Sequence, residues 1–150
     1  MDIILIAAIT ADGYIARHIN EVVDWSLDLH LFRKQTMGYP VIMGSQTEKT
    51  LAMDLDGRET IVTHRYNDPV KILGKLHSDK CFIIGGGRTY TRFASYLTHL
   101  YLTIHPLIFG GGVPLFPNLD DELELIFMQM ISVEGVEGLY QFQYKINRPN

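Results

Sequence analysis

The stretch Ile83-Ile84-Gly85-Gly86-Gly87-Arg88-Thr89-Tyr90 decides how this chain is read. The residues leading into it, 81–84, form a buried strand. Three glycines let the backbone turn sharply and approach a flat ligand with no side chain in the way. A helical segment follows, to about residue 97. Its free N–H groups and the positive end of its dipole face whatever lies over the turn. Arg88 adds a fixed positive charge there. The pattern is a phosphate-cofactor site built without a Gly-x-Gly-x-x-Gly fingerprint.

The unit recurs upstream. Residues 3–9 are a continuous apolar run rich in β-branched side chains, as in a strand covered on both faces. Asp12-Gly13 marks a turn, and an irregular polar stretch leads to Trp25. A helix is predicted over 26–37, with Ser26 as its N-cap. A strand is predicted over 40–43, then Gly44 and a short helix to about Ala52. A strand over 59–63, a helix over 67–78 and a strand over 99–105 complete the series. Residues 123–133 and 139–146 read as strands, with Tyr140, Phe142, Tyr144 and Ile146 alternating with Gln141, Gln143 and Lys145 on a half-buried strand. The expected fold is α/β: a three-layer domain with a mixed, mostly parallel sheet flanked by helices and ending in an antiparallel hairpin. One such domain is expected to span residues 1–150.

Composition narrows the function. The chain has 150 residues, of which 47% are hydrophobic and 20% charged, as in a globular protein with one core. A net charge of −4 argues against a basic nucleic-acid surface. The lone Cys81 has no disulfide partner within the chain, which fits the cytoplasm. The apolar start is too short for a membrane span and lacks a signal peptide's basic flank. None of the six histidines falls in a zinc-ligand spacing, so no metal site is expected.

Two strand-to-helix junctions carry glycine, Gly44 and Gly85 to Gly87. Their helix starts suit the two phosphates of a dinucleotide beyond the strands' carboxyl ends. Ser45, Gln46 and Thr47 add side-chain donors. His64 and Arg65 follow a third strand and suit a 2′-phosphate, hence NADPH; otherwise they are solvated surface groups. Asp28 and Phe32, four residues apart, share a helix face. A carboxylate beside an aromatic ring can bind an amidine-like heterocycle edge and, when buried, relay a proton. The bland alternative is an acid that only complements the helix dipole.

Together these residues resemble the dihydrofolate reductase family over most of the chain. Ile6-Ala7-Ala8-Ile9 looks like that family's first pocket strand. Trp25, Asp28 and Phe32 match its tryptophan, substrate-binding acid and pocket phenylalanine. Val41-Ile42-Met43-Gly44 with Thr47 is close to its first cofactor turn. Leu51, Leu55, Gly57 and Arg58 fit its apolar wall and the arginine that holds the substrate's glutamate carboxylate. Residues 83–90 nearly reproduce its glycine signature, including a cis peptide, expected here at Gly85–Gly86. Leu100-Tyr101-Leu102-Thr103 matches the strand whose threonine supports the acid.

The resemblance implies NADPH-dependent reduction of dihydrofolate. Asp28 and Thr103 would be catalytic, with Thr103 bonded to the Asp28 carboxylate. Ile6, Ala7, Phe32, Leu51, Leu55, Arg58, Ile84 and Tyr90 would contact substrate. Ala8, Ile15, Gly44, Ser45, Gln46, Thr47, Thr63, His64, Arg65, Gly85, Gly86, Gly87, Arg88 and Thr89 would contact the cofactor. The partner is a small molecule, with no nucleic acid and no membrane, and the protein is a monomer or homodimer.

Two regions depart from the pattern. The loop 16–24 has Ala16 and Asp24 where the family has glycine and proline, and the stretch from Trp25 to Asp28 is two residues shorter. The run 105–116, with its Gly110-Gly111-Gly112, looks more like the riboflavin-pathway reductase domain, which shares the fold and reduces a ribosylamino-pyrimidine phosphate. That run is a surface loop or a dimer contact. The alternatives to folate reduction are therefore that activity, or nucleotide binding without catalysis.

Overall fold

The computed structural model describes residues 1–51 and 54–149. In chain order the elements are β1 (Asp2–Thr10), β2 (Tyr14–Ala16), α1 (Leu29–Thr36), β3 (Val41–Gly44), α2 (Ser45–Thr50), β4 (Thr60–Thr63) and α3 (Pro69–Gly74). Then follow β5 (Lys80–Gly85), α4 (Gly87–Phe93) with a 3-10 turn Ala94–Tyr96, β6 (His99–His105), β7 (Val113–Pro114), β8 (Glu124–Ser132) and β9 (Tyr140–Asn147).

Seven strands form one sheet in the order β4-β3-β5-β1-β6-β9-β8. The β1 run is apolar on both faces because it lies inside the sheet, parallel to β5 on one side and β6 on the other. Strands β3, β4 and β5 are also mutually parallel, and β9 joins β6 and β8 antiparallel. This is the mixed sheet the sequence predicts. Leu5, Ile83, Tyr90 and Phe93 pack on one face, with Ile72 and Leu73 of α3 against them. Ile4, Ile6, Met43 and Phe82 pack on the other, with Phe32 of α1 and with Leu51 and Leu55. Helices thus cover both faces, giving three layers. Cys81 lies in the first cluster, and burial pushes its thiol up to about 12.

From neighbouring strands β1 and β5 the chain leaves for opposite sides, β1 toward β3 and β5 toward β6. The carboxyl ends of those two strands form the crevice in which α/β sheets bind ligands. The β3–β5 register slips by one residue between Ile42 and Met43, bringing Gly85 opposite Met43. The glycine turn is thereby set against the end of β3.

Several expected boundaries move. Helix α1 begins at Leu29 rather than Ser26, and Asp28 is its N-cap residue rather than part of its first turn. Ahead of the helix, the Leu27 N–H is bonded to the His105 ring. Helix α3 stops at Gly74, not residue 78; its start is capped by Asp68, which accepts the Val70 N–H. Helix α2 is described to Thr50, and its expected end at Ala52 lies outside the described residues. Strands β2 and β7 pair with each other across regions that carry no strand signal, being three and two residues long.

The covered face of β9 carries glutamines. Gln141 and Gln143 are buried, while Tyr140 is exposed. Gln141 exchanges both amide hydrogen bonds with Gln35 of α1, and Gln143 donates to Gln141 and accepts from Gln129. Period-two alternation tells the two faces apart but does not say which is covered. Here a chain of amides satisfies itself beneath α1.

Candidate active site

The two glycine turns converge. A Cβ at Gly44 would lie 2.5 Å from Thr89 Oγ1, and one at Gly85 or Gly86 would lie 3.2 or 3.3 Å from Thr47 Oγ1. So α2 and α4 start side by side at one edge of the sheet. Neither start has a side-chain cap, which leaves first-turn N–H groups of Ser45, Gln46, Thr47, Arg88 and Thr89 open for a ligand. The Gly85–Gly86 peptide is cis, as the sequence predicts.

The next strand end lies alongside. Thr63 is buried and Arg65 exposed, while His64 stacks on Tyr66 with ring centroids 5.3 Å apart. Arg92 of α4 donates to Thr63 Oγ1 and to the Asn67 carbonyl. Nothing in the sequence reading singled out Arg92; its place four residues after Arg88 was the available signal. Three side chains that bear or can bear positive charge therefore border the Thr63 turn. This donor set fits a phosphorylated dinucleotide.

Of the residues expected to contact substrate, Ile6, Phe32, Leu51, Leu55 and Ile84 share one apolar cluster. Tyr90 donates its hydroxyl to the Ile6 carbonyl at 2.9 Å, fixing β1 against α4. Burial, and then the nearby Asp28 charge, hold its phenol un-ionised far above neutral pH. Ala7 does not join this wall. Strand alternation turns its side chain into the opposite cluster with Leu5 and Ile9, as it does for Ile15 across β2. Ala8 is half-buried, on the same face as Ile6.

Asp28 is 6% exposed. Its carbonyl accepts the Phe32 N–H at 3.0 Å, and its carboxylate takes no hydrogen bond among the described residues. The expected bond from Thr103 is absent: the buried Thr103 hydroxyl has no partner. The Trp25–Asp28 turn is instead tied to β6 two residues further on, through His105. Arg58 donates Nε to Thr36 Oγ1, one terminal N–H to the Asp56 carbonyl and another to the Arg33 carbonyl. Two of its five donors brace the end of α1 and a third holds its own loop at Asp56, so two remain for a ligand carboxylate.

The altered loop closes on itself. Glu21 accepts the Arg17 N–H, pairs with the Arg17 guanidinium at 2.6 Å and accepts from Trp25 Nε1. Burial disfavours the Glu21 carboxylate, but these donors outweigh it and hold the carboxyl below its ordinary range. Asn20 receives the Gln46 amide at 3.1 Å, linking loop and cofactor turn. The glycine run 110–112 is also pinned from within. Asp12 accepts the N–H groups of Phe109 and Gly110, and a Cβ at Gly112 would lie 2.3 Å from the Ala16 carbonyl.

A mostly parallel sheet with two uncapped helix starts at its carboxyl edge is the arrangement of an α/β ligand-binding domain. The model of the dihydrofolate reductase family matches residues 2–143, and the chain belongs to that family. It is 31% identical over 117 residues to dihydrofolate reductase type 3 of Salmonella typhimurium, covering 69% of this chain and 71% of that one. It is 30% identical over 139 residues to the dihydrofolate reductase of Haemophilus influenzae, covering 82% and 84%. Dihydrofolate reductase from Enterococcus faecalis, solved with NADP(H) and RAB-propyl, superposes with a TM-score of 0.76 at 21% identity, covering 98% of this chain and 97% of that one. A protein assigned to riboflavin biosynthesis in Shewanella sp. PV-4 has the same fold, with a TM-score of 0.66 at 20% identity, covering 99% and 100%. No helix among the described residues is long and apolar enough to cross a membrane.

Proposed function

We propose that this chain reduces dihydrofolate to tetrahydrofolate with NADPH. The observation that carries the proposal is the buried Asp28 carboxylate, without a hydrogen-bond partner among the described residues, near the Ile6–Phe32–Leu51–Leu55 wall. Its two oxygens accept a heterocycle's N3–H and 2-amino group as a pair. It favours protonation of the substrate at N5, while C6 receives hydride. Arg58 offers its two spare donors to the glutamate carboxylate. Tyr90 holds β1 in place behind the pocket, and Thr103 lines it from β6. The reduced nicotinamide supplies the hydride when NADPH is bound. Gly44 to Thr47, Gly85 to Thr89, Thr63, His64 and Arg65 are the residues that hold that cofactor, with Ala8 and Ile15 along its nicotinamide end. What the protein adds is alignment and exclusion of water.

The test follows loss of reduced-nicotinamide absorbance with dihydrofolate, with and without methotrexate. Methotrexate-sensitive oxidation is expected. NADPH binding without turnover would overturn the proposal. The 105–116 run and the riboflavin-type fold neighbour support a second reading, a ribosylamino-pyrimidine phosphate as substrate. Arg58→Leu separates the two: it raises KM for dihydrofolate, but hardly affects a substrate with no glutamate tail.

A further inference from the structure

We infer that His105 is the positioning residue for Asp28, acting through the main chain, in the place where a hydroxyl from β6 was expected to act. The inference rests on the proposed reduction of dihydrofolate. His105 is 1% exposed and carries a hydrogen bond on each ring nitrogen. Nε2 accepts the Leu27 N–H at 2.9 Å, so it bears no proton. Nδ1 therefore bears the proton and donates it to the Thr103 carbonyl at 3.0 Å. The ring is locked to its own strand at one end and grips the chain just before Asp28 at the other.

Nothing else does this work on that side. The Asp28 side chain makes no capping bond. Its carbonyl is fixed from behind by the Phe32 N–H. Ahead of it, the only hydrogen bond on Leu27 among the described residues is the one to His105. The Thr103 hydroxyl, two residues away on the same face of β6, is buried and unpartnered. Trp25 completes the clamp. Its ring meets His105 edge-on at 5.3 Å and 86°, and meets Phe109 at 5.3 Å and 84°. Leu27 directly precedes Asp28, so moving Leu27 moves the carboxylate. Misplacing a reacting group by about 1 Å costs on the order of 100-fold in rate.

His105→Leu removes both bonds; His105→Met, closer in length and flexible, replaces it if Leu fails to fold. His105→Gln restores an acceptor for Leu27 and keeps a donor. Each is measured for kcat/KM with dihydrofolate, for NADPH affinity, and for emission of Trp25, the only tryptophan. The apolar variant is expected to lose about 10- to 100-fold in kcat/KM, keep its NADPH affinity and shift the Trp25 emission. His105→Gln is expected to recover most of both. Wild-type kcat/KM in the apolar variant overturns the inference. So does equal loss in His105→Gln, or a matching loss of NADPH affinity. If the wild type itself does not reduce dihydrofolate, the functional reading falls separately. The Trp25 emission then decides: a shift in the apolar variant alone upholds the clamp, and no shift overturns it.

Discussion

Gly44 stands against Thr89 so closely that a methyl group on Gly44 would lie 2.5 Å from the Thr89 hydroxyl. Gly44 has an ordinary extended backbone, so space rather than conformation requires glycine here. The contact joins the first turns of α2 and α4. Thr89 is buried on a helix and β-branched, so it has little room to rotate. Gly44→Ala should therefore destabilise the protein by about 1–3 kcal/mol, the usual cost of overpacking, and weaken NADPH binding. Adding Thr89→Ala removes the obstructing oxygen and should recover most of the stability. Urea unfolding of the two variants checks this; a single variant as stable as wild type would contradict the contact.

Asp28→Asn keeps the side chain's shape and removes its charge and its ability to favour the protonated substrate. Dihydrofolate reduction should fall by about 100- to 10,000-fold, the range for loss of acid–base assistance. NADPH affinity should hold, because the turns proposed to hold its phosphates are at α2 and α4 rather than α1. Steady-state kinetics with a separate cofactor titration distinguishes these effects. Unchanged reduction would remove Asp28 from the mechanism.

How much was legible depended on whether a signal was local. The Gly85–Arg88 turn and the β1 run were readable because backbone freedom and continuous burial leave marks in adjacent residues. Asp28 and Phe32 were readable as a pair because helical spacing links them, although the helix starts one residue later than needed to include Asp28. Thr103 was placed correctly on β6, but its bond to Asp28 was not made. That bond depends on where the Trp25 turn is tied, and the tie, His105, lies 78 residues from Leu27. Arg92 and the β2–β7 pair were hidden for the same reason. The alternation on β9 was readable, but which face is covered was not, because Gln141 is satisfied by Gln35 on another element.

That amide chain makes its own prediction. Gln141 is 1% exposed and bonds to Gln35 and Gln143 at once. Gln141→Leu takes the acceptor from the buried Gln143 NH2 group, which keeps its bond from Gln129, and both partners from the half-buried Gln35 amide, at a cost of about 1–3 kcal/mol for the buried donor and less for Gln35. Adding Gln35→Leu removes one of the orphans and should return part of the loss. Melting curves of the single and double variants test this. A stabilising single substitution would show that the amides do not depend on one another.

Glu21 ties pH to the 16–24 loop. Its carboxyl lies below its ordinary range because the Arg17 and Trp25 donors outweigh the burial that opposes ionisation. A carboxyl held low in the folded state stabilises that state above its unfolded pKa, about 4.3 for glutamate. The contribution fades as pH falls through the lower folded value. The Arg17 side chain is 52% exposed, so solvent screens the ion pair and the brace as a whole should contribute only about 1 kcal/mol. The difference in unfolding free energy between wild type and Glu21→Gln should be constant from neutral pH down to about pH 5 and shrink below it. Comparing the two proteins at each pH cancels every other titrating group. A difference that grows in acid would reverse the sign assigned to this carboxylate, and with it the description of Glu21 as the loop's brace.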